Sequence, residues 1–109
     1  MKSVQLKFLD KEYSVTPNFR TISAIESMTG RGTMEILHDL GENKVRMTDM
    51  IHVVYCMMSD PKMTVEKVAN EVIGKAVDFV GPIVAFLNAC SFGSEELAED
   101  VVESKEKND

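Results

Sequence analysis

The chain opens with apolar and polar residues in alternation and then changes to helical spacing. Val4, Leu6 and Phe8 alternate with Gln5 and Lys7, and Tyr13 and Val15 flank Ser14. A period of two puts all five apolar side chains on one face of an antiparallel hairpin. A tight turn at Asp10-Lys11 sets Phe8 opposite Tyr13 and Leu6 opposite Val15. That turn lacks the glycine such loops prefer. A lone hairpin is marginal in water, so its apolar face needs a layer packed on it.

From Thr16 onward the pattern is helical. Thr16 is the expected cap and Pro17 the first residue of a helix whose stripe is Phe19, Ile22, Ile25 and Met28. Gly30 ends it and Gly32 keeps the loop open. Thr33 caps a short second helix, Met34 to Leu40, stopped by Gly41. Thr48-Asp49 caps a third, with Met50, Ile51, Val54, Tyr55 and Met58 apolar, and Ser59-Asp60-Pro61 ends it. Thr64 caps a fourth with Val65, Val68, Val72 and Ile73 on one face, closed at Gly74. Asp78 caps a fifth, with Pro82 tolerated in its first turn. Val80, Ile83, Val84, Phe86, Leu87 and Cys90 form a broad apolar face there, as expected of a central helix.

The predicted fold is therefore α+β, mostly α. A short N-terminal β-hairpin (residues 3–16) packs on a bundle of about five short helices (17–92). Residues 1–92 are expected to form one globular domain, followed by an acidic tail, 93–109. The tail pairs Leu97 with Val101 and Ala98 with Val102 at helical spacing, too few apolar residues to dock it firmly, so a frayed or disordered segment is expected. No repeat is evident.

Composition narrows the classes of function. The 109 residues include 44% hydrophobic ones, enough for a modest core without disulfides. The formal net charge of −6 is uneven: seven acids and two lysines after Gly93 give the tail −5, leaving −1 for residues 1–92. No basic stripe marks the chain for nucleic acid. The apolar runs Ile51 to Met58 and Val77 to Ala89 are too short to span a membrane, and no secretory signal is expected from the start Met1-Lys2-Ser3-Val4-Gln5. Cys56 and Cys90 each lie within apolar helical pattern and read as buried free thiols in a reducing cytoplasm.

The residues that could carry chemistry have structural readings. His52 and Cys56 share a metal-ligand spacing, with no second ligand pair and only the distant His38 to add. Cys90, among Leu87, Ala89 and Phe92, is a core thiol whose burial blunts it as a nucleophile. Gly30-Arg31-Gly32 follows a helix, whereas phosphate-binding glycine loops follow a strand. Glu26, Glu35, Asp39, Glu66 and Glu71 fall on polar helix faces. No enzyme, cofactor or metal site is expected.

The methionines point elsewhere. Met47, Met50, Met57 and Met58 crowd one region and Met63 follows. Met50, Met57 and Met58 cannot all share the buried stripe with Ile51, Val54 and Tyr55. One or two are expected to face outward as part of an adaptable, partner-binding surface formed by these five residues.

The order of elements resembles a known family. The carrying residues are the hairpin, Thr16-Pro17-Asn18-Phe19-Arg20-Thr21-Ile22, Ile25-Glu26, Met28-Thr29-Gly30, Val45 to Met50, Met63-Thr64-Val65-Glu66-Lys67-Val68, Gly74 and Phe86-Leu87-Asn88-Ala89. Over about residues 4–92 this pattern resembles the small tail assembly chaperones of long-tailed bacteriophages and the related tail-region protein of gene transfer agents. The resemblance implies a virus-encoded protein of the host cytoplasm, absent from the finished particle. Such proteins coat the tape-measure protein and help tail-tube subunits polymerise around it. A translational frameshift often makes a longer form, and the acidic tail lies where that form would diverge. The family offers no sharp binding motif to carry over, and self-association is a further expectation. The alternatives are a structural tail-tube subunit, which would need far more strand, and a small helical interaction module from outside any phage.

Overall fold

The apolar alternation at the start of the chain does form a hairpin, in a register displaced from the expected one. The computed structural model describes residues 3–93; the acidic tail beyond Gly93, with the fraying expected of it, lies outside the described residues. Strands β1 (Val4–Phe8) and β2 (Lys11–Val15) pair antiparallel, with Val4 opposite Val15, Leu6 opposite Tyr13 and Phe8 opposite Lys11. The loop is Leu9-Asp10, and Leu9 turns it in left-handed backbone at φ 56°. A displacement of two residues keeps each side chain on its face. Val4, Leu6, Phe8 and Val15 therefore stay buried together.

Five helices follow: α1 (Phe19–Thr29), α2 (Thr33–Gly41), α3 (Met47–Met58), α4 (Val65–Val72) and α5 (Ala76–Phe92). Among the described residues, no single helix is long and apolar enough to cross a membrane; only α4 and α5 together reach that length and composition, across a bend of 117°.

Capping differs from expectation at four of the five helices. Asn18, rather than Thr16, caps α1: its side-chain oxygen accepts from the Thr21 amide at 2.9 Å. Pro17 therefore precedes the helix. Gly32, rather than Thr33, stands at the cap of α2, and the Thr33 amide donates to Glu26 Oε2 at 2.9 Å. Glu26 is thus a capping carboxylate lent by α1, which favours the positive end of α2. Arg46 precedes α3, which places Asp49 inside its first turn. Helix α5 begins two residues before Asp78, so Pro82 lies in its second turn and brings no amide to the Asp78 carbonyl. Only Thr64 caps as predicted, accepting from the Lys67 amide at 3.2 Å.

The stripe predicted for α1 does not stay on one side. Three-residue steps fall short of a helical turn by about 60° each, so Phe19 and Met28 end up about half a turn apart. Ile25 and Thr21 are buried, while Phe19 is 84% exposed and Met28 is exposed.

Helix α3, rather than α5, occupies the centre. It packs against α1, α4, α5 and β2. Met50, Ile51, Val53, Val54, Cys56, Met57 and Met58 are all buried on it. The hairpin closes the other end of the core, where the Phe8 and Phe79 rings lie 6.2 Å apart at a tilt of 53°. Full burial of one such side chain stabilises the fold by about 1.5–3 kcal/mol.

Two polar contacts lock this packing. Asp49 is 1% exposed and accepts from Arg46 Nη2 at 2.7 Å and Nε at 3.0 Å. Arg31, from the α1–α2 loop, adds its Nε at 3.7 Å from Asp49 and pairs closely with Asp39. Arg46 also donates to the Thr29 carbonyl at 3.3 Å. One carboxylate thus fixes the loop between α1 and α2 to the start of α3. The second contact ties the hairpin to the end of α3. Tyr13 Oη donates to Asp60 Oδ2 at 2.8 Å, and Lys11 Nζ lies 3.7 Å from that oxygen.

Removing the Asp49 carboxylate leaves two arginines without their shared acceptor. Asp49→Ala is expected to lower unfolding free energy by about 1.5–3 kcal/mol, the range for hydrogen bonds to a charged group, measured by urea titration.

The second contact gives a pH dependence. The Lys62 amide and then the Tyr13 hydroxyl hold the Asp60 carboxyl below its ordinary value. Burial and then the bond to Asp60 push the Tyr13 phenol up. A carboxylate with a depressed folded value adds stability above its unfolded pKa of about 3.9 and loses it as pH falls through the folded value. A phenol raised on folding adds stability below about 10 and loses it as pH rises further. The clamp therefore holds between these limits. The thermal midpoint followed into acid is expected to fall less steeply in Asp60→Asn than in the parent.

Candidate docking surface

Helix α5 carries almost no charge. From Val77 to Phe92 the single charged residue is Asp78. Its inner side buries Phe79, Ile83, Phe86, Leu87 and Ala89 against α2, α3 and β1. At about 100° per residue, Val77, Val80, Gly81, Val84 and Asn88 come to the opposite side. Val77 is 85% and Val80 37% exposed, Gly81 is exposed, and Val84 and Asn88 are half-buried. Ile73, in the turn leading into the helix, is 59% exposed.

A helix apolar on all sides belongs inside a protein, and this one leaves Val77, Val80 and Gly81 exposed on its outer side. Scattered exposed valines are ordinary; here Val77 and Val80 share one side of the helix with no charged residue between them on that side, which makes it the candidate docking surface. The row was not predicted. Val80 and Val84 were assigned to the buried face with Cys90, and starting the helix at Asp78 left Val77 outside it. The signal that reveals the row is the missing charge over a full helix, since no polar side was written into α5.

The five methionines do not form the expected surface. Met50, Met57 and Met58 are buried, so none of the three faces outward. Central α3 is enclosed on several sides, and methionine's flexible chain fills the irregular space around it. Met47 is exposed at the start of α3, and half-buried Met63 packs against the core beyond its other end. The exposed large apolar residues also include Leu9, Phe19 and Met34, each on a different element.

The remaining concavities are open. Leu9 separates two clefts of about 530 and 390 Å³, the first lined by Lys7, Asp10, Lys75, Asp78 and Phe79, the second by Phe8, Met63 and Lys67. Glu71 borders both and sits 2.7 Å from Lys75 Nζ, which neutralises the charge there and raises the Lys75 ammonium above its ordinary value. Glu26, Asp39 and Glu71, expected on polar helix faces, are engaged in caps and ion pairs. A third cleft of about 320 Å³ lies between α1 and the end of α3, beside Tyr55 and Cys56.

Burial pushes both the Cys56 and Cys90 thiols up to about 11, so each is protonated near neutral pH. Cys90 is half-buried, less enclosed than the core position expected for it, and both thiols are free. Cys56 Sγ lies 3.9 Å from Met28 Sδ. His52 and Cys56 acquire no third ligand: among the described residues no group of three His, Cys, Asp or Glu side chains is placed to hold a metal.

Comparison with protein-family models, with curated proteins and with solved structures finds no match for this chain.

The two sides of α5 should respond differently to substitution. Val77→Glu is expected to change unfolding free energy by no more than about 0.5 kcal/mol, as at other open surface positions. Ile83→Ala is expected to cost about 2–5 kcal/mol, as for a buried isoleucine cut to alanine. Urea titration of both variants measures the contrast.

Proposed function

We propose that this protein is a phage tail assembly chaperone that binds the tape-measure protein, tail-tube subunits or both during tail morphogenesis in the host cytoplasm. The observation that supports the reading most is the uncharged outer face of α5. A tape-measure protein, in this reading, is a long helical chain with apolar stripes that aggregates unless something covers it before the tube closes. A helix laid along Val77, Val80 and Val84 buries apolar surface on both sides and strands no ion. The five methionines are replaced in this role by α5, since three of them are spent on the core.

Affinity per copy is low in this scheme, because one helix face is a small contact. Many copies along one long chain compensate through avidity. The net charge of −5 after Gly93 gives each bound copy a repulsive flank, which favours a dispersed complex over an aggregate. A tube subunit is the weaker reading. Two strands of five residues supply little of the sheet expected in a tube wall.

Co-expression with a tape-measure fragment tests the proposal. The parent chain is expected to raise the fragment's soluble fraction severalfold. Val77→Glu combined with Val80→Glu is expected to abolish that gain while leaving the circular dichroism spectrum unchanged. If the parent leaves the fragment's solubility where it was, the chaperone reading fails.

A further inference from the structure

Helices α1 and α3 run antiparallel and gather three soft donor atoms between them. Thr21, Ala24, Cys56 and Ser59 line the cleft at one end of the pair, and at the other end Arg46 donates to the Thr29 carbonyl. Met28 lies one turn beyond Ala24 and His52 one turn before Cys56, so the packing brings these two levels together. Helical side chains lean toward the start of their own helix, which carries Met28 back toward Cys56. Met28 Sδ lies 3.9 Å from Cys56 Sγ. His52 shares the Cys56 side of α3, four residues away. Its Nδ1 is shut off from solvent and has no hydrogen-bond partner among the described residues. Buried polar atoms are nearly always paired, so an orphaned ring nitrogen points to a ligand.

We propose that His52, Cys56 and Met28 together bind a soft monovalent metal ion, copper(I) by the chemistry of the donors. Among histidine, cysteine and carboxylate side chains, His52 and Cys56 find no third ligand within the described residues. The atom that does lie against Cys56 is a thioether, which soft ions accept and hard ones refuse. Thiolate, thioether and imidazole are all donors that suit copper(I). Calcium and magnesium require oxygens, and structural zinc sites take four nitrogen, oxygen or thiolate donors. The spacing also fits. Two sulfurs held by one trigonal ion, with metal–sulfur bonds of about 2.3 Å, sit about 4.0 Å apart. The observed 3.9 Å between Met28 and Cys56 meets this without rearrangement.

Charge and access agree with a monovalent ion. As the metal–sulfur bond forms, the ion displaces the Cys56 thiol proton to solvent. One thiolate and one monovalent cation sum to zero, so the site takes no net charge into the protein, whereas a divalent ion leaves one there. Cys56 borders the open cleft and Met28 is 40% exposed, so an ion reaches the donors without unfolding. The site uses no residue of the outer α5 side, so it stands or falls separately from the chaperone reading.

Anaerobic titration of the full chain with copper(I), in competition with a chromogenic chelator, tests the site. The parent is expected to bind one ion, to gain the ultraviolet absorption of a copper–thiolate bond and to melt at a higher temperature. Cys90→Ser, which leaves the three donors in place, is expected to behave as the parent does. Cys56→Ser is expected to lose the absorption. Losing even a group that only supports a ligand weakens metal binding about 10–100-fold, so Met28→Leu and His52→Gln are each expected to weaken it by about tenfold or more. Met28→Leu conserves volume at a partly exposed position, and its melting without copper is expected to match the parent's. A parent that binds no copper(I) overturns the proposal. So does binding that survives Cys56→Ser, that requires Cys90, or that Met28→Leu or His52→Gln leaves as tight as in the parent.

Discussion

Enclosing α3 is the constraint on which the rest of this structure depends. A body of this size has room for one helix surrounded by others, and α3 takes that place with seven buried apolar side chains. Its enclosure forces the one charge in its first turn, Asp49, to bring its own counter-ions. Arg46 and Arg31 supply them, and in doing so they fix the α1–α2 loop. It also sends α5 to the outside. Helix α5 is as apolar as a central helix, yet only one of its sides finds the core.

The outcome is a fold that leaves a row of apolar residues exposed on one side of α5, besides single ones on other elements. The surface lies on a helix anchored by Phe79, Ile83, Phe86 and Leu87, so its shape does not depend on a partner. A rigid, neutral ridge of valines suits weak and repeated contacts with other helices better than chemistry on a small molecule. Such chemistry requires polar groups that converge, and in the cleft beside Leu9 Glu71 is engaged by Lys75.

Much of this was legible in the sequence. The alternation of Val4, Leu6 and Phe8 gave the hairpin and its buried face, and the Thr64 cap was correctly placed. Five helices follow the hairpin, as the punctuation by Gly30, Gly41, Pro61 and Gly74 implied. What failed did so for physical reasons. The hairpin register turned on whether Leu9 would accept left-handed backbone, which a propensity argument places at glycine or asparagine. Asn18 outcompeted Thr16 as a cap, a choice local pattern leaves open. Asp49 looked like a cap because its burial depends on pairing with Arg46 just before the helix and with Arg31, eighteen positions away, which local pattern does not show. The docking face was missed because amphipathic reading looks for contrast within a helix, and α5 has little.

The central claim is that the outer side of α5 is open in the free molecule and that its inner side is core. Paramagnetic relaxation of methyl resonances by a soluble neutral probe, in dilute protein, measures this directly. The Val77 and Val80 methyls should broaden strongly, and those of Ile83, Leu87 and Val54 should not. Protection of Val77 to the degree seen at Val54 would contradict the account.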